Sequence, residues 1–424
     1  MSQLTKLSKQ FYENTSLKDR KKKGQYFTPK QIKDESLKDI VFNDGDKILE
    51  NSCGTGEFIH SILERNPNVS IDAYDIDKAL VDIVQQNYPT VSTKCEDWLK
   101  IDDGVKYDKI IGNPPYFELN KEQATSRGYE RFLSYSKSKA NIYSFFIIKS
   151  IESLKQGGQL IYVVPTSMNN GHSFLPLRQF IIKNCNIDNI KIYSDDDFDN
   201  ALQNTMTIKL TRLKDGESNN GKFIFKKDKI TIFSENVSSI KKLFEGKQSL
   251  FELGFEVKTG TYVWNQNKLF MSDNNNDTLL LWACNIENNC LVLSPEKLNK
   301  KLEENPKKPR HEQKSPALQK SQWVNGCKDE KRKPIVNKCI IVNRVTGVGN
   351  KASIKAALVS LNREFYLENH INYITATDNS KMSLEELHEK LISKETSEIL
   401  RHISGNTQLS KKELLNLIPI KLDK

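Results

Sequence analysis

Between about Asp46 and Arg212 short apolar runs alternate with segments whose apolar residues fall three and four positions apart. KILEN, SIDAYD, DKIIG, LIYVV, IKIY and MTIKLTRL are continuous enough in large apolar residues to predict strands, most of them covered on both faces. GEFIHSILERN, KALVDIVQQN and NIYSFFIIKSIESLK carry the helical spacing and predict helices lying on those faces. This alternation is the pattern of a wound α/β sheet. The Gly157-Gly158 pair is expected to stop the third helix ahead of LIYVV. After Arg212 the stretch KDGESNNG reads as a linker, and the rhythm is lost beyond it. Two domains are therefore expected, one over residues 1–214 and a mixed α+β one over 222–424. Lys297 to Lys333, dense in Lys, Pro and Gln, predicts a long exposed loop.

Composition narrows this picture. A chain of 424 residues with 37% hydrophobic and 28% charged residues has enough apolar mass for two cores and lacks the long uncharged runs of membrane spans. The N-terminal stretch has lysines but no apolar signal core, so a cytoplasmic location is expected. The seven cysteines are scattered, and the nearest pair, Cys284 and Cys290, has no partners at metal-binding spacing, so no metal site is expected. A formal charge of +10 favours a polyanionic partner, although the same lysines also suit a solvated surface.

Chemistry gathers at the predicted strand ends. Glu50 to Phe58, ENSCGTGEF, follows the first strand, and its glycines let the backbone pass close to a ligand at the sheet edge, or form a plain tight turn. The second strand ends in Asp75-Ile76-Asp77, where such folds grip ribose hydroxyls with a carboxylate, which makes Asp75 the candidate. The third ends in Glu96-Asp97-Trp98, an acceptor for a ring amino group beside an aromatic cover. The fourth runs straight into Asn113-Pro114-Pro115-Tyr116, whose prolines fix a rigid loop at the sheet edge. There the Asn113 side-chain oxygen and the Pro114 carbonyl can accept both hydrogens of a conjugated amine, aligning a weak nucleophile on a methyl donor, while Tyr116 offers a flat face.

With these motifs in this order the chain resembles the amino-group DNA methyltransferases, whose catalytic motif is (D/N/S)PP(Y/F). GQYFTP, beginning at Gly24, resembles the segment that closes over the methionine end of the cofactor in the group containing the TaqI-type enzymes. The resemblance implies a Rossmann-like seven-stranded methyltransferase domain that takes S-adenosylmethionine. Carried over by position, Tyr26, Thr28, Glu50, Ser52, Gly54, Asp75, Ile76, Asp97, Trp98 and Pro115 would contact the cofactor. Asn113, Pro114 and Tyr116 would be catalytic, with Phe198 a second aromatic against a flipped base. Family members often show Pro at the position of Asn51, a change expected to be tolerated because the glycines remain.

VKTGTYVWNQNK, IIVNRVTGVGNKASIKAAL, FYLENHINYI and ISGNTQLSKKELLNLIPI resemble target-recognition segments of type II adenine modification methylases. Lys258, Lys268, Arg344 and Lys351 within them are candidates for phosphate contacts. The resemblance thus implies a site-specific adenine-N6 methyltransferase acting on double-stranded DNA, the modification part of a restriction-modification system, with any cognate endonuclease a separate protein. No fused nuclease domain is expected. N4-cytosine methylation, RNA or protein-glutamine methylation by the same motif, and a catalytically silent DNA-binding subunit remain the alternatives.

Overall fold

Each of the predicted apolar runs becomes a strand. The computed structural model describes residues 5–16, 28–136, 140–193, 205–227, 230–293, 321–329, 331–345, 353–403 and 409–422. In chain order the first seven long strands are β1 (Lys47–Glu50), β2 (Ser70–Asp75), β3 (Ser92–Cys95), β4 (Tyr107–Gly112), β5 (Leu154–Pro165), β6 (Cys185–Ile192) and β7 (Thr205–Arg212). They form one sheet in the order β3-β2-β1-β4-β5-β7-β6. The first five pair in parallel, and β7 runs antiparallel to both β5 and β6. Neighbouring strands β1 and β4 lead to opposite sides of the sheet, and the crevice above that reversal is where such sheets hold ligands.

Helices cover both faces. α1 is Lys6–Asn14, α2 Lys30–Leu37, α3 Glu57–Arg65, α4 Lys78–Asn87, α5 Ile142–Ser153 and α6 Leu175–Asn184. α2 and α3 bury Ile32, Leu37, Phe58, Ile59 and Ile62 against Ile48, Ile111 and Ile161 of the sheet. On the other face α5 buries Tyr143, Phe145, Ile147 and Ile148 against Leu49, Ile110 and Leu160. α5 is apolar nearly all round because it is enclosed, and Lys149 is its one cation.

Two expectations need correction. The Gly157-Gly158 pair does not end α5, which stops at Ser153. The glycines sit inside β5, where the register against β4 jumps from Leu154 to Gln159. Gly157 takes φ +75°, and a Cβ on Gly158 would lie 3.0 Å from the carbonyl oxygens of Tyr107, Asp108 and Lys155. Glycine is demanded here by close backbone approach in a bulge. The expected exposed loop over Lys297 to Lys333 is also too long. Residues 297–320 lie outside the described residues, but Trp323–Val324 is a strand and Ser321, Gln322 and Val324 are buried.

By compactness the chain divides into a first unit, residues 1–226 with 231–237, and a second, residues 227–230 with 238–424. The first unit thus runs past the 214–221 break and takes in Phe223, Ile224 and Phe233, all buried in its core. The second unit holds two four-stranded sheets. One, entirely antiparallel, is built from Phe255–Thr259, Ile371–Ala376, Cys339–Asn343 and Ala356–Val359. Leu384, Leu387, Leu391, Leu400 and Leu414, from three helices after residue 383, share its core. The other joins Met271–Ser272, Trp323–Val324, Thr278–Leu281 and Phe365–Leu367, with one parallel pair. Among the described residues no helix is long and apolar enough to cross a membrane.

Candidate active site

The glycine-rich turn after β1 builds the floor of the site. Gly54 and Gly56 have φ +52° and +84°, and a Cβ on Gly56 would stand 2.9 Å from the Tyr88 ring. Positive φ and this close approach both exclude a side chain. The turn is tied to β2 by the Gly54 N–H, which donates to Asp75 Oδ2 at 3.0 Å, while Asp75 Oδ1 accepts from Asp77 N at 3.0 Å. Asn51 is buried and donates to Ser150 Oγ at 3.1 Å, and Tyr162 donates to its Oδ1 at 2.7 Å. The amide at that position thus has its own partners.

Glu57, the first residue of α3, gathers the N-terminal segment. Its Oε1 accepts from Thr5 N at 3.1 Å, Thr5 Oγ1 at 2.7 Å and Ser8 Oγ at 2.5 Å. Its Oε2 accepts from Lys33 Nζ at 3.3 Å. One buried carboxylate therefore clasps α1 and α2 to the cofactor loop.

Above this floor lies a cavity of about 320 Å³. Thr28, Glu50, Ser52, Gly54, Asp75, Ile76, Asp97, Trp98, Asn113 and Pro115 all line it, so every candidate cofactor residue within the described segments meets in one place. Tyr26 and Phe198 lie outside the described residues. Pro114 and Tyr116 are not part of the cavity wall. Tyr116 is half-buried, edge-on to Tyr143 at 6.1 Å, and its hydroxyl reaches Val163 O at 2.8 Å and Asn113 Oδ1. Trp98 is buried against Phe146 at 6.0 Å.

Asn113, at the end of β4, is held on three sides. Its Nδ2 donates to Thr28 Oγ1 at 3.1 Å, its Oδ1 accepts from Tyr116, and its backbone carbonyl accepts from Ser52 Oγ at 3.2 Å. Sequence reasoning missed Glu57, Phe117, Arg127, Tyr129, Ile142 and Phe146, which also line the cavity. Tyr129 donates to Asp97 Oδ2 at 2.7 Å, and Arg127 stacks over Phe117 at 5.5 Å. Only the fold brings these to β3 and β4, and the lone signal was their density of aromatics after the motif.

The electrostatics select the ligand's charge. Six carboxylates, Glu50, Glu57, Asp75, Asp77, Glu96 and Asp97, line the cavity against two cations, Lys78 and Arg127. Burial pushes the Glu50 carboxyl well above its ordinary range, and its Oε2 has no hydrogen-bond partner among the described residues. Burial likewise raises Asp75 to about 6, against the pull of the Asp77 and Gly54 N–H groups. A cavity of this kind disfavours the pyrophosphate of a dinucleotide and fits a ligand carrying positive charge and hydroxyl groups. S-adenosylmethionine, with a sulfonium, an ammonium and a ribose diol, fits: Glu50 and Asp75 would take its donors and Asp97 its ring amine.

In the second unit each described candidate phosphate contact has a partner within the protein. Lys258 pairs with Glu256 at 2.7 Å, Lys268 stacks over Trp264 at 5.4 Å, and Arg344 donates to Asn369 O at 3.2 Å. Lys351 lies outside the described residues.

Comparison with known proteins agrees with the first unit. Residues 3–198 match the Eco57I restriction-modification methylase family. The modification methylase CviBIII of Paramecium bursaria Chlorella virus NC1A is 32% identical over 188 residues, 43% of this chain and 48% of that protein. The type II methyltransferase M.AccI of Acinetobacter calcoaceticus is 28% identical over 212 residues, 48% of this chain and 39% of that protein. The chain thus spans less than half the length of these relatives. Among solved structures, the type IIG restriction endonuclease BpuSI aligns over 92% of this chain and 57% of its own at 13% identity and a TM-score of 0.40. Sheet order and motif order agree with the sequence matches, and residues 3–198 are similar to the Eco57I restriction-modification methylases, with the seven-stranded α/β sheet expected of an S-adenosylmethionine-dependent methyltransferase.

Proposed function

We propose that the chain is a site-specific DNA methyltransferase that moves a methyl group from S-adenosylmethionine to the N6 amine of an adenine flipped out of the duplex. The observation that carries the reading is Asn113, immobilised at the rim of an acidic cavity by Thr28, Ser52 and Tyr116. When bound, S-adenosylmethionine supplies an electrophilic methyl on a sulfonium. Thr28 and Tyr116 fix the Asn113 amide so that the second acceptor site of its Oδ1, with the Pro114 carbonyl, takes the two amino hydrogens of the target. This draws the nitrogen toward tetrahedral geometry, and its lone pair forms the new N–C bond as the S–C bond breaks. The extra proton leaves to water, and no strong base is required.

The second unit would grip the duplex, and a separate endonuclease would share the recognition sequence. Digestion of duplex DNA after incubation with the chain and labelled cofactor, followed by nucleoside mass spectrometry, tests the reading. N6-methyladenine at one sequence is the expected product. N4-methylcytosine would overturn the base assignment, and unlabelled DNA beside label on a glutamine-containing peptide offered in the same reaction would overturn the substrate class.

A further inference from the structure

An interior helix facing an apolar sheet has no reason to carry a cation, yet α5 buries Lys149 to 5% exposure. Its ammonium donates to the carbonyl oxygens of Trp98, the first residue of the tight 3-10 turn Trp98–Lys100, and of Ile101, which caps that turn, and lies 4.4 Å from the centre of the Trp98 ring. Those carbonyls point at a helix flank, where every backbone N–H is already used inside the helix. Only a long side chain with several donors reaches both. The same turn presents Asp97 to the cavity: Asp97 Oδ1 caps it from Leu99 N at 3.2 Å, and Asp97 Oδ2 accepts from Tyr129 at 2.7 Å. Ile142 and Phe146, earlier on α5, form the adjoining cavity wall.

We infer that Lys149 is a positioning residue for the ring end of the cofactor cavity, locking the Asp97–Ile101 turn so that the Asp97 carboxylate meets the cofactor's ring amine in a fixed orientation. This rests on the proposed cofactor. Lys149 is not itself part of the cavity wall and acts through Trp98 and Ile101. The charged groups facing it are Asp97, Asp102 and Asp103 from the β3–β4 connection and Arg131 from the 3-10 segment Glu130–Tyr135. Arg131 is itself paired with Glu152 at 3.3 Å. Burial, reinforced by Arg131 and opposed by the three aspartates, brings Lys149 down to about 8. Above that pH the bonds to the two carbonyls lose their charge assistance.

The test uses the full chain and 5′-methylthioadenosine, which keeps the adenosine end of the cofactor and lacks its α-amino group, a group that titrates near the same pH. Calorimetry at pH 7 should show Lys149→Met binding this probe about tenfold or more weakly, with kcat at saturating S-adenosylmethionine within about threefold of wild type. Between pH 7 and 9.5 wild-type affinity should fall through about pH 8, while any binding by Lys149→Met stays flat. The inference is overturned if the variant's affinity stays within twofold of wild type, if kcat falls in step with affinity, or if wild-type affinity is level over that pH range. The wild-type series decides by itself should the variant fail to fold. Wild-type protein that binds neither the probe nor S-adenosylmethionine at any pH would remove the cofactor reading instead.

Discussion

Asp75 places the cofactor site in conflict with the stability of the empty protein, and pH exposes the conflict. Burial raises its carboxyl from 3.8 to about 6. A carboxyl whose folded value is raised holds its proton more tightly when folded than when unfolded, so its stabilising contribution is complete below pH 3.8 and lost as pH rises through 6. The whole span corresponds to about 3 kcal/mol at 1.36 kcal/mol per unit, of which roughly 1.4 kcal/mol falls between pH 5 and pH 8. Replacing Asp75 by Ala removes that linkage but also strips the acceptor from the Gly54 and Asp77 N–H groups, a cost that does not depend on pH. The stability difference between wild type and Asp75→Ala should therefore shrink by roughly 1.4 kcal/mol from pH 5 to pH 8. Urea titrations of both proteins at the two pH values measure this double difference, in which the lost hydrogen bonds cancel. Cofactor affinity should move the other way, increasing in the wild type as Asp75 ionises, and Asp75→Ala should bind about ten- to hundredfold more weakly at pH 8. A stability difference constant across the range would refute the claim that a buried carboxylate is held there at a cost to the fold.

Asn113→Ala should lower turnover by two to three orders of magnitude, about 3 to 4 kcal/mol, with cofactor affinity unchanged within a few fold, and single-turnover assays separate the two. Gly56→Ala must adopt φ +84° against Tyr88 and should lose at least about 1 to 2 kcal/mol by thermal denaturation, together with cofactor binding. Glu57→Gln halves the acceptor capacity of the clasp, so trypsin should cut at Lys6 and Lys9 faster than in wild type while the sheet stays resistant. A fragment ending at Val237 should fold and bind S-adenosylmethionine weakly without methylating a specific site, since specific DNA complexes are held about 4 to 10 kcal/mol more tightly than non-specific ones. One ending at Arg212 loses Phe223, Ile224 and Phe233 from the core and should unfold under circular dichroism.

The sheet was legible because buried strands are short apolar runs and covering helices are spaced ones, signals confined to neighbouring residues. KALVDIVQQN and SIDAYD coincide with α4 and β2 to the residue. The glycine pair misled because the same residue that ends helices also permits a bulge, and only the pairing of β5 with β4 distinguishes the two. Strand ends Glu50, Asp75, Asp97 and Asn113 were readable as one site because a parallel sheet brings its carboxyl ends together. Glu57, Tyr129 and Lys149 were not, since their partners lie 52, 32 and 51 residues away. A single lysine in IYSFFIIKSIES is visible as an anomaly, but what it holds is not.

The seventh strand is last in sequence yet lies between β5 and β6. During synthesis β6 has no partner until β7 is complete at Arg212, and the edge of β5, with buried apolar Ile161, Val163 and Val164, stays open for that interval. An unpaired apolar edge is a template for another chain. The emerging protein is thus most prone to misassociate just before its sheet closes, and its yield in the cell should depend on how fast residues 193–212 follow β6 from the ribosome.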